Sequence, residues 1–402
     1  MKMMLKYPLV LLVAAALSGC AAKTERGSLL IVGGALEDDN KEVYGTLFQE
    51  VGTEGNLGIL PTASGVPEET GPEALTFFQS ASTGADVVLI DVPFTKPENA
   101  QNPEISAQIA QQNGIYFLGG DQSRILNAFR PEGSETLGYK ALQQVLANDG
   151  IIAGSSAGAA MMSDPMIIWG VSEEALVVGN PNVPDRGVGT APGMGFFPYG
   201  LTDQHFEYRG RLGRLIAALE ITNQPFGYGI SENRAIHVSL SNDAIKTVGT
   251  QALMLVDLSD ATRTGFERRN IRISYLGDGD QVNGRTGRIK LAKGKVEYET
   301  SGAIPEVSVP EDIWERGSLN TFLQDFALSG RESVQVQDRF FTIVFTRDNK
   351  TRLVTPKDSF QREEVGFVNL RVDLIPLPTL ETELEALKAD IATAEESEAP
   401  AY

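Results

Sequence analysis

Residues 154–158 read GSSAG and fit the pattern G-x-S-x-G. In this pattern a sharp strand-to-helix turn exposes the central serine, and the flanking glycines let strand and helix approach each other. Ser156 is therefore a candidate nucleophile. The backbone N–H of Ala157, near the start of the following helix, is a candidate donor to a developing oxyanion. The pattern alone does not establish an enzyme, because turns built from small residues are common.

A serine nucleophile needs a base, and the chain contains only two histidines. Histidine is the usual partner of such a serine. His237 alternates with apolar residues in a run typical of a strand, which favours a structural role. His205 lies in a polar segment, residues 203–214, that also contains three arginines. We therefore predict that His205 is the base.

The spacing of the residues leaves open which acid orients the histidine. Glu232 follows another apolar run and is available if the order along the chain is serine, histidine, acid. Asp203 and Glu207 lie close to His205 in sequence, and a solvent-exposed helix face fits Glu207 best. Spacing alone does not choose among the three.

The elements that must position these residues follow an alternating pattern. Short apolar runs, most of them ending in glycine or another small residue, alternate with segments of helical spacing. These runs span residues 28–34, 57–64, 86–90, 114–120 and 150–154. This pattern indicates a parallel α/β sheet flanked by helices, in which ligands bind at the carboxyl ends of the strands. The GSSAG turn lies at one of those ends.

The pattern changes in the C-terminal part of the chain. From about residue 252 the segments are strand-like, with a helix predicted over residues 311–328 and a hairpin turn at residues 348–350. The final segment places leucines and one isoleucine at three- and four-residue spacing on an acidic helix. We expect this helix to pack onto the protein's own body rather than to form a coiled coil.

Composition limits the partners and the chemistry. The 402 residues carry a formal net charge of −19, which argues against nucleic acid as a partner and suits a cationic substrate. Cys20 is the only cysteine, which excludes disulfides within the chain, zinc–thiolate sites and a cysteine nucleophile elsewhere. An acidic turn at residues 278–283 lacks further ligands at the spacing that calcium requires. We predict no metal and no cofactor.

The N-terminus predicts export. Residues 1–20 combine two lysines with an apolar run that is too short to span a bilayer, which is typical of a signal peptide. Residues 17–20, LSGC, resemble a bacterial lipobox, which implies cleavage before Cys20 and attachment of lipid to it. We expect a lipid-anchored protein of the cell envelope. The residue after Cys20 is Ala21 and not the aspartate associated with retention in the inner membrane. The sequence does not determine whether the anchor lies in the inner or the outer membrane.

Four motifs, taken together and in order, resemble one family. They are FLGGDQ at 117–122, GSSAGAA at 154–160, DQHF at 203–206 followed by arginines at 209, 211 and 214, and GISE at 229–232. This combination, within residues 28–290, is similar to cyanophycinases, serine exopeptidases related to the α-aspartyl dipeptidases. The DQHF segment with its three arginines is the most distinctive part.

The resemblance implies a fold, a site and a substrate. The fold is a flavodoxin-like α/β fold of the kind found in class I glutamine amidotransferases. Ser156 is implied as nucleophile, His205 as base and Glu232 as orienting acid, with the amides of Gly120 and Ala157 as oxyanion hole. The implied substrate is cyanophycin, a poly-aspartate whose β-carboxyls carry arginine, degraded to β-aspartyl-arginine dipeptides. A homodimer is also implied by the family.

The resemblance further implies a set of substrate-binding residues: Gln122, Asp203, Arg209, Arg211 and Arg214. Arginines suit this task because their guanidinium groups bind carboxylates in a bidentate manner. For Asp203 we favour contact with the substrate's arginine over tuning of His205.

The predicted organisation has five parts. A lipoprotein signal peptide spans residues 1–20, a linker 21–27, a catalytic domain 28–290, a β-rich extension 291–376 and an acidic amphipathic tail helix 377–402. Two other functions remain open: an exported dipeptidase acting on aspartyl or isoaspartyl peptides, and a lipoprotein that binds without catalysis. An amidotransferase activity is disfavoured because that chemistry needs a cysteine at the turn.

Overall fold

The computed structural model describes residues 27–298, 306–357 and 364–398. The predicted signal peptide, Cys20 and nearly all of the predicted linker therefore lie outside the described residues, as does the end of the predicted tail helix. Within the described ranges, no helix is both long enough and apolar enough to cross a membrane.

The strands and helices are numbered in chain order. The strands are β1 Ser28–Val32, β2 Asn56–Leu60, β3 Asp86–Leu89, β4 Gly114–Phe117, β5 Ile151–Ser155, β6 Met166–Gly170, β7 Val188–Ala191, β8 Leu201–Asp203, β9 Phe226–Ile230, β10 Ala235–Ser239, β11 Ala244–Val248, β12 Leu253–Asp257, β13 Thr262–Thr264, β14 Glu267–Leu276, β15 Gln281–Asn283, β16 Ile289–Lys290, β17 Lys295–Glu297, β18 Ser333–Gln337, β19 Phe341–Thr346, β20 Arg352–Pro356 and β21 Gly366–Pro376. The α-helices are α1 Lys41–Val51, α2 Pro67–Ala81, α3 Pro103–Ala110, α4 Gln122–Phe129, α5 Leu137–Ala147, α6 Ala157–Ala160, α7 Ser172–Val178, α8 Leu212–Thr222, α9 Ser318–Leu328 and α10 Leu380–Glu398.

The first sheet contains all five apolar runs predicted as strands. Its order is β16-β15-β11-β10-β1-β5-β4-β2-β3. The five strands from β1 to β3 in that order are parallel, and the pairings from β1 through β10, β11, β15 and β16 are antiparallel. The predicted α/β fold with flanking helices is confirmed, and antiparallel strands extend its parallel part on one side.

Alternating side chains of the first sheet enter two different apolar cores. Leu29 and Ile31 of β1 pack in the core that α3, α4 and α5 cover. Leu30 and Val32 pack in the core that α1 and α2 cover. Successive side chains of a strand point to opposite faces, so a strand buried on both faces is apolar at every position. This explains why the runs in the sequence are continuous rather than alternating.

The helices around the first sheet begin at residues suited to that position. Asn40, Asn102, Asp121 and Thr136 each accept a hydrogen bond from a backbone N–H in the first turn of α1, α3, α4 and α5, respectively. Such caps satisfy N–H groups that have no partner within the helix. α2 instead begins with proline at its first position, which lacks the N–H that would go unpaired.

The second sheet joins strands from both sides of residue 290, the predicted end of the catalytic domain. Its order is β17-β20-β21-β14-β12-β9-β8, with β13 on β14, β19 on β21 and β18 on β19. β14 precedes the predicted boundary and β21 follows it, and the two pair antiparallel. The predicted β-rich C-terminal region is confirmed, and it continues the sheet that holds β8 and β9. The domain boundaries themselves stay predictions.

Two predictions for the C-terminal part are corrected. Residues 348–350 do not form a hairpin turn, because β19 and β20 do not pair with each other; both pair with the same side of the long strand β21. The segment between them is an outward loop in one interrupted strand, where Asp348 binds Arg272. The helix predicted over residues 311–328 begins only at Ser318, after Gly317 in a left-handed conformation with φ 78°.

The acidic tail helix packs as predicted. Leu380, Leu384, Leu387 and Ile391 of α10 are buried in an apolar cluster that also contains Leu176 of α7. The three- and four-residue spacing places these side chains on one face of the helix, and the charged residues occupy the other.

Candidate active site

Ser156 stands on a sharp turn between β5 and α6. Its backbone has φ 55° and ψ −108°, a conformation that L-residues rarely adopt. A Cβ on Gly154 would lie 2.5 Å from the carbonyl oxygen of Gly158, and one on Gly158 would lie 2.7 Å from that of Phe117. The two glycines of the GSSAG pattern are thus required by close backbone approach, as the pattern predicts.

The structure brings Ser156, His205 and Glu232 together in one hydrogen-bonded series. The Ser156 hydroxyl oxygen lies 2.9 Å from His205 Nε2. His205 Nδ1 lies 2.5 Å from Glu232 Oε1. Asp203 and Glu207, which spacing left as alternatives, do not contact the imidazole within hydrogen-bond distance. The acid that lies against the histidine is the one that the family resemblance implies.

Three chain segments meet at the His205 backbone. His205 follows β8 and has φ 47°, and its N–H donates to the carbonyl of Gly33 at 2.6 Å. Gly34 has φ 103°, and a Cβ there would overlap the imidazole of His205. Glu232 lies in the short connection through which the chain passes from β9 in the second sheet to β10 in the first.

Gly33 and Gly34 are site residues that sequence reasoning missed. Their signal was present, since two glycines end the first apolar run. Their function could not be inferred, because the ring that needs the space is about 170 residues away along the chain.

The electrostatic surroundings favour a neutral imidazole. Burial lowers the pKa of His205, and the positive charges of Arg209 and Arg211 lower it as well. The hydrogen bond that His205 donates to Glu232 and the negative charge of Glu232 act in the opposite direction, and the net shift of the His205 pKa is downward. A neutral imidazole at neutral pH can accept a proton from a hydroxyl group, which is the requirement for a general base.

The two residues whose amides are proposed for an oxyanion hole lie beside the serine turn. Ala157 directly follows Ser156, and Gly120 follows Gly119, where a Cβ would lie 3.4 Å from Ser156 Cβ. Gly120 follows β4, next to the strand that carries Ser156, and has φ 143°. A Cβ on Gly120 would overlap the carbonyl group of Ala63, which explains the glycine. Across the described ranges, the N–H groups of Gly120 and Ala157 donate to no other residue. Both remain available to a ligand.

The residues proposed for substrate binding differ in what they contact. Asp203 and Arg214 form a bidentate ion pair, and their side chains are only 1% and 5% exposed. Arg211 donates to the carbonyl of Gln204, and its guanidinium lies 3.6 Å from Asp203. Burial and the neighbouring Arg214 lower the pKa of Arg211 to about 9. This geometry favours an internal, positioning role for Asp203 over the substrate contact that the sequence suggested.

Gln122 and Arg209 complete the proposed set. The Gln122 amide donates to the carbonyls of Ile167 and Ile168 at 3.0 Å each and is buried, so it anchors β6 beside the turn at Gly120. Arg209 is exposed, and it lies close enough to His205 for its charge to lower the pKa of the imidazole. Of the five residues, Arg209 is the one most open to solvent.

Glu207 is buried, contrary to the expectation of an exposed helix face. Its side chain packs inward beside Tyr275 and Ser231, and Oε2 has no hydrogen-bond partner in the described part of the chain. Burial raises the pKa of Glu207 to about 7, and the charge of Glu232 acts in the same direction. Residues 203–207 all turn toward the core. The order of polar residues along this segment does not reveal that burial.

The acidic turn near residue 280 binds a lysine. Asp280 is fully buried and lies 2.7 Å from the Lys295 ammonium group. Among residues 27–298, 306–357 and 364–398, no group of three or more His, Cys, Asp or Glu side chains has the arrangement of a metal site. His237 is the strand residue that its pattern predicts, in β10, 3.4 Å from Glu50.

A serine hydroxyl at the carboxyl end of a strand of the α/β sheet, in series with an imidazole and a carboxylate, is the arrangement that serine hydrolases use. Comparison with known proteins agrees with this class. The profile of Peptidase family S51 matches residues 29–247, and the chain belongs to that family. It is a serine peptidase of the cyanophycinase type.

Curated relatives support this assignment. A cyanophycinase of Synechococcus elongatus is 30% identical over 279 residues, which cover 66% of this chain and 81% of the relative. A cyanophycinase of Nostoc sp. is 29% identical over 270 residues, covering 64% and 85%. A crystal structure of a peptidase from an acI-B1 Actinobacterium aligns with a TM-score of 0.47 at 19% identity, covering 65% of this chain and 98% of that one.

Proposed function

We propose that the chain hydrolyses cyanophycin with Ser156 as nucleophile, His205 as base and Glu232 as orienting acid. The observation that carries the proposal is the series from Ser156 Oγ through the imidazole to Glu232, in a chain of Peptidase family S51 whose curated relatives are cyanophycinases.

The first step is proton transfer. Glu232 accepts a hydrogen bond from Nδ1–H of His205, which leaves Nε2 unprotonated and facing the Ser156 hydroxyl. Nε2 takes the hydroxyl proton as Oγ attacks the scissile carbonyl carbon. Glu232 then stabilises the imidazolium that forms.

We assign stabilisation of the negative charge that develops on the carbonyl oxygen to the backbone amides of Gly120 and Ala157. The N–H groups of Gly120 and Ala157 donate to no other residue in the described ranges, and they belong to the backbone rather than to mobile side chains. Donors fixed before the reaction stabilise the tetrahedral intermediate without reorganisation. Nε2–H of His205 then protonates the leaving amine, and water hydrolyses the acyl-enzyme by the same steps in reverse.

The charge distribution suits an aspartate polymer with arginine branches. Arg209 is exposed beside the base, where it can bind a carboxylate of the substrate end. The net charge of −19 favours approach of the cationic arginyl groups. We assign Arg209, supported by Arg211, to binding of the aspartate end, and we expect β-aspartyl-arginine dipeptides as the product.

Digestion of purified cyanophycin, followed by mass spectrometry of the released species, tests the proposal. The expected product is the β-aspartyl-arginine dipeptide, released by the wild type and by Ser155→Ala but not by Ser156→Ala. Ser155 directly precedes Ser156, so Ser155→Ala is a control for the general effect of removing a serine hydroxyl from this turn. Hydrolysis of short aspartyl or isoaspartyl dipeptides without hydrolysis of the polymer would reject the cyanophycinase proposal in favour of the dipeptidase alternative.

Export and anchoring form a separate part of the proposal. The motif at residues 17–20 supports a lipid attached at Cys20 and a place in the cell envelope. Metabolic labelling with radioactive palmitate should mark the wild type and not Cys20→Ala. An unlabelled, soluble wild type would remove the anchor while leaving the enzymatic proposal intact. The homodimer implied by the family stays a prediction, which a molar mass measured by light scattering would test.

A further inference from the structure

The C-terminal region, residues 306–398, lies beyond the part of the chain that the family profile matches. We propose that this region positions the His205–Glu232 pair, so that catalysis depends on residues that are not part of the family's shared sequence. The inference rests on the proposed triad. Two sets of contacts carry it, one on each side of the imidazole.

The first set leads to Glu232 through Gln251. Gln251 has φ 46°, an unfavourable conformation that needs support. Two contacts from the C-terminal region supply it: the Gln324 amide donates to Gln251 Oε1 at 2.9 Å, and Gln251 Nε2 donates to the carbonyl of Val365 at 3.2 Å. The Gln251 carbonyl in turn accepts a hydrogen bond from the Ser231 hydroxyl at 2.6 Å.

Ser231 transmits this support to the acid. It is 3% exposed and directly precedes Glu232. Its backbone is also fixed from the other side, because its N–H donates to the carbonyl of Ala252 at 3.1 Å. The carboxylate of Glu232 is itself 23% exposed, so its position depends on how firmly this connection is held.

The second set of contacts holds the segment that follows His205. The N–H of Gly317 donates to the carbonyl of Tyr208 at 3.0 Å, and the Arg316 guanidinium lies over the Tyr208 ring at 5.7 Å. Gly210 packs so closely on the backbone of Trp314 that a Cβ would overlap it. Trp314 is fixed in turn by a 2.9 Å hydrogen bond from its indole N–H to Asp338.

A shared apolar core makes this support stiff. Phe206, next to His205, is fully buried in the same cluster as Leu319, Phe322 and Leu323 of α9. Close-packed cores resist small displacements. A misplacement of about 1 Å in a catalytic group can cost on the order of 100-fold in rate. We therefore expect that loss of the contacts on either side of the imidazole lowers kcat.

The first test is Gln324→Leu in the full chain, with Thr321→Ala, an exposed substitution on the same helix, as its control. We expect kcat to fall about 10-fold with little change in KM, because the substitution loosens the acid and not the substrate contacts. Since Glu232 raises the pKa of His205, looser contact should also move the acid limb of the kcat/KM profile to lower pH. A folded Gln324→Leu protein with unchanged kcat and unchanged pH profile overturns the inference.

The second test uses two glycines with similar backbone angles. Gly210 has φ 57° and Gly265 has φ 61°, so alanine is strained equally at both, but only at position 210 does the new Cβ meet Trp314. We expect Gly210→Ala to reduce kcat about 10-fold and Gly265→Ala to leave it unchanged. Equal losses for the two variants would mean that general strain, and not the contact with the C-terminal region, is responsible.

A readout without the polymer separates this inference from the proposed function. The rate at which a fluorophosphonate probe labels Ser156 depends on the His205–Glu232 pair and not on cyanophycin. Slower labelling of Gln324→Leu and Gly210→Ala, with wild-type rates for both controls, supports positioning even if the polymer proves not to be the substrate. Wild-type labelling rates in both variants reject it even if the polymer is degraded.

Discussion

Ser156 and the His205–Glu232 pair are positioned in opposite ways. The serine stands in a turn of five consecutive residues, 154–158, which has one strained backbone position and whose glycines allow close approach within the turn and to Phe117 of the neighbouring strand β4. The imidazole and its acid lie in the connections that directly follow β8 and β9 of the second sheet. They are supported by Gly33 at the end of β1 and by residues as distant as Gln324 and Val365.

One active site thus combines a nucleophile positioned by nearby residues with a base and an acid positioned by contacts from distant parts of the chain. A local turn tolerates changes elsewhere in the protein, because its geometry is determined largely by steric repulsion within the turn and with the adjacent strand. A distributed arrangement depends on many contacts, each of which contributes little. We therefore expect variants at the serine to abolish the reaction outright, and variants around the histidine to produce graded effects.

The largest expected effect is at the serine itself. Ser156→Ala should reduce kcat by roughly 10⁴–10⁶-fold while substrate binding survives, because the nucleophile is lost and the rest of the site is not. Steady-state dipeptide release and polymer binding by the inactive protein measure the two quantities. Dipeptide release at a near wild-type rate would remove Ser156 from its proposed role.

Loss of the acid should be smaller but still severe. Glu232→Gln keeps the shape of the side chain and removes its charge. The imidazolium then loses its stabilisation, and the tautomer with the proton on Nδ1 is no longer favoured. By analogy with other triads, kcat should fall about 10³–10⁴-fold. Glu50→Gln, which alters the carboxylate beside the strand histidine His237, is the matched control and should leave kcat unchanged.

The buried Asp203–Arg214 pair is expected to affect stability. Both side chains are nearly inaccessible, so Asp203→Ala leaves an arginine charge buried without its partner. Such a change costs about 3–5 kcal/mol of unfolding free energy. Urea denaturation measures it, with Glu385→Ala of the exposed pair Lys388–Glu385 as a control that should change little. Unchanged stability together with weakened polymer binding would restore the substrate contact that the sequence suggested.

Glu207 should make stability depend on pH. Its pKa is about 7 in the folded protein and about 4.3 in an unfolded chain, so between these values the folded state binds more protons. Stability therefore falls as pH rises through this window. Glu207→Gln should remove the dependence, with little difference near pH ~4 and a gain of up to about 3 kcal/mol near pH ~8. An equal pH dependence in both proteins would show that Glu207 is not the group responsible.

The parts of the fold that follow local rules could be predicted from the sequence. The five apolar runs are the parallel strands, and the GSSAG motif is the turn that carries the serine. The amphipathic spacing of the tail correctly predicts a docked helix.

Sequence patterns failed where the outcome depends on distant partners. Residues 348–350 have the composition of a hairpin turn, but β19 and β20 both pair with β21 and not with each other. Arg272, from a distant part of the chain, binds Asp348 in the loop between them. Glu207 is charged and sits beside polar residues, yet Tyr275 and Ser231 enclose it. Neither partner is visible in the local pattern.

The sequence by itself determined the α/β alternation, the strained serine turn and the choice of histidine, because strand burial, glycine sterics and the presence of only two histidines are properties of short segments or of composition. Only the tertiary structure decided which buried side chains face each other. It paired Asp203 with Arg214, buried Glu207 and joined the C-terminal region to the sheet that carries the histidine and its acid. These outcomes depend on contacts between residues far apart in the chain, whose free energies exist only once the two cores have formed.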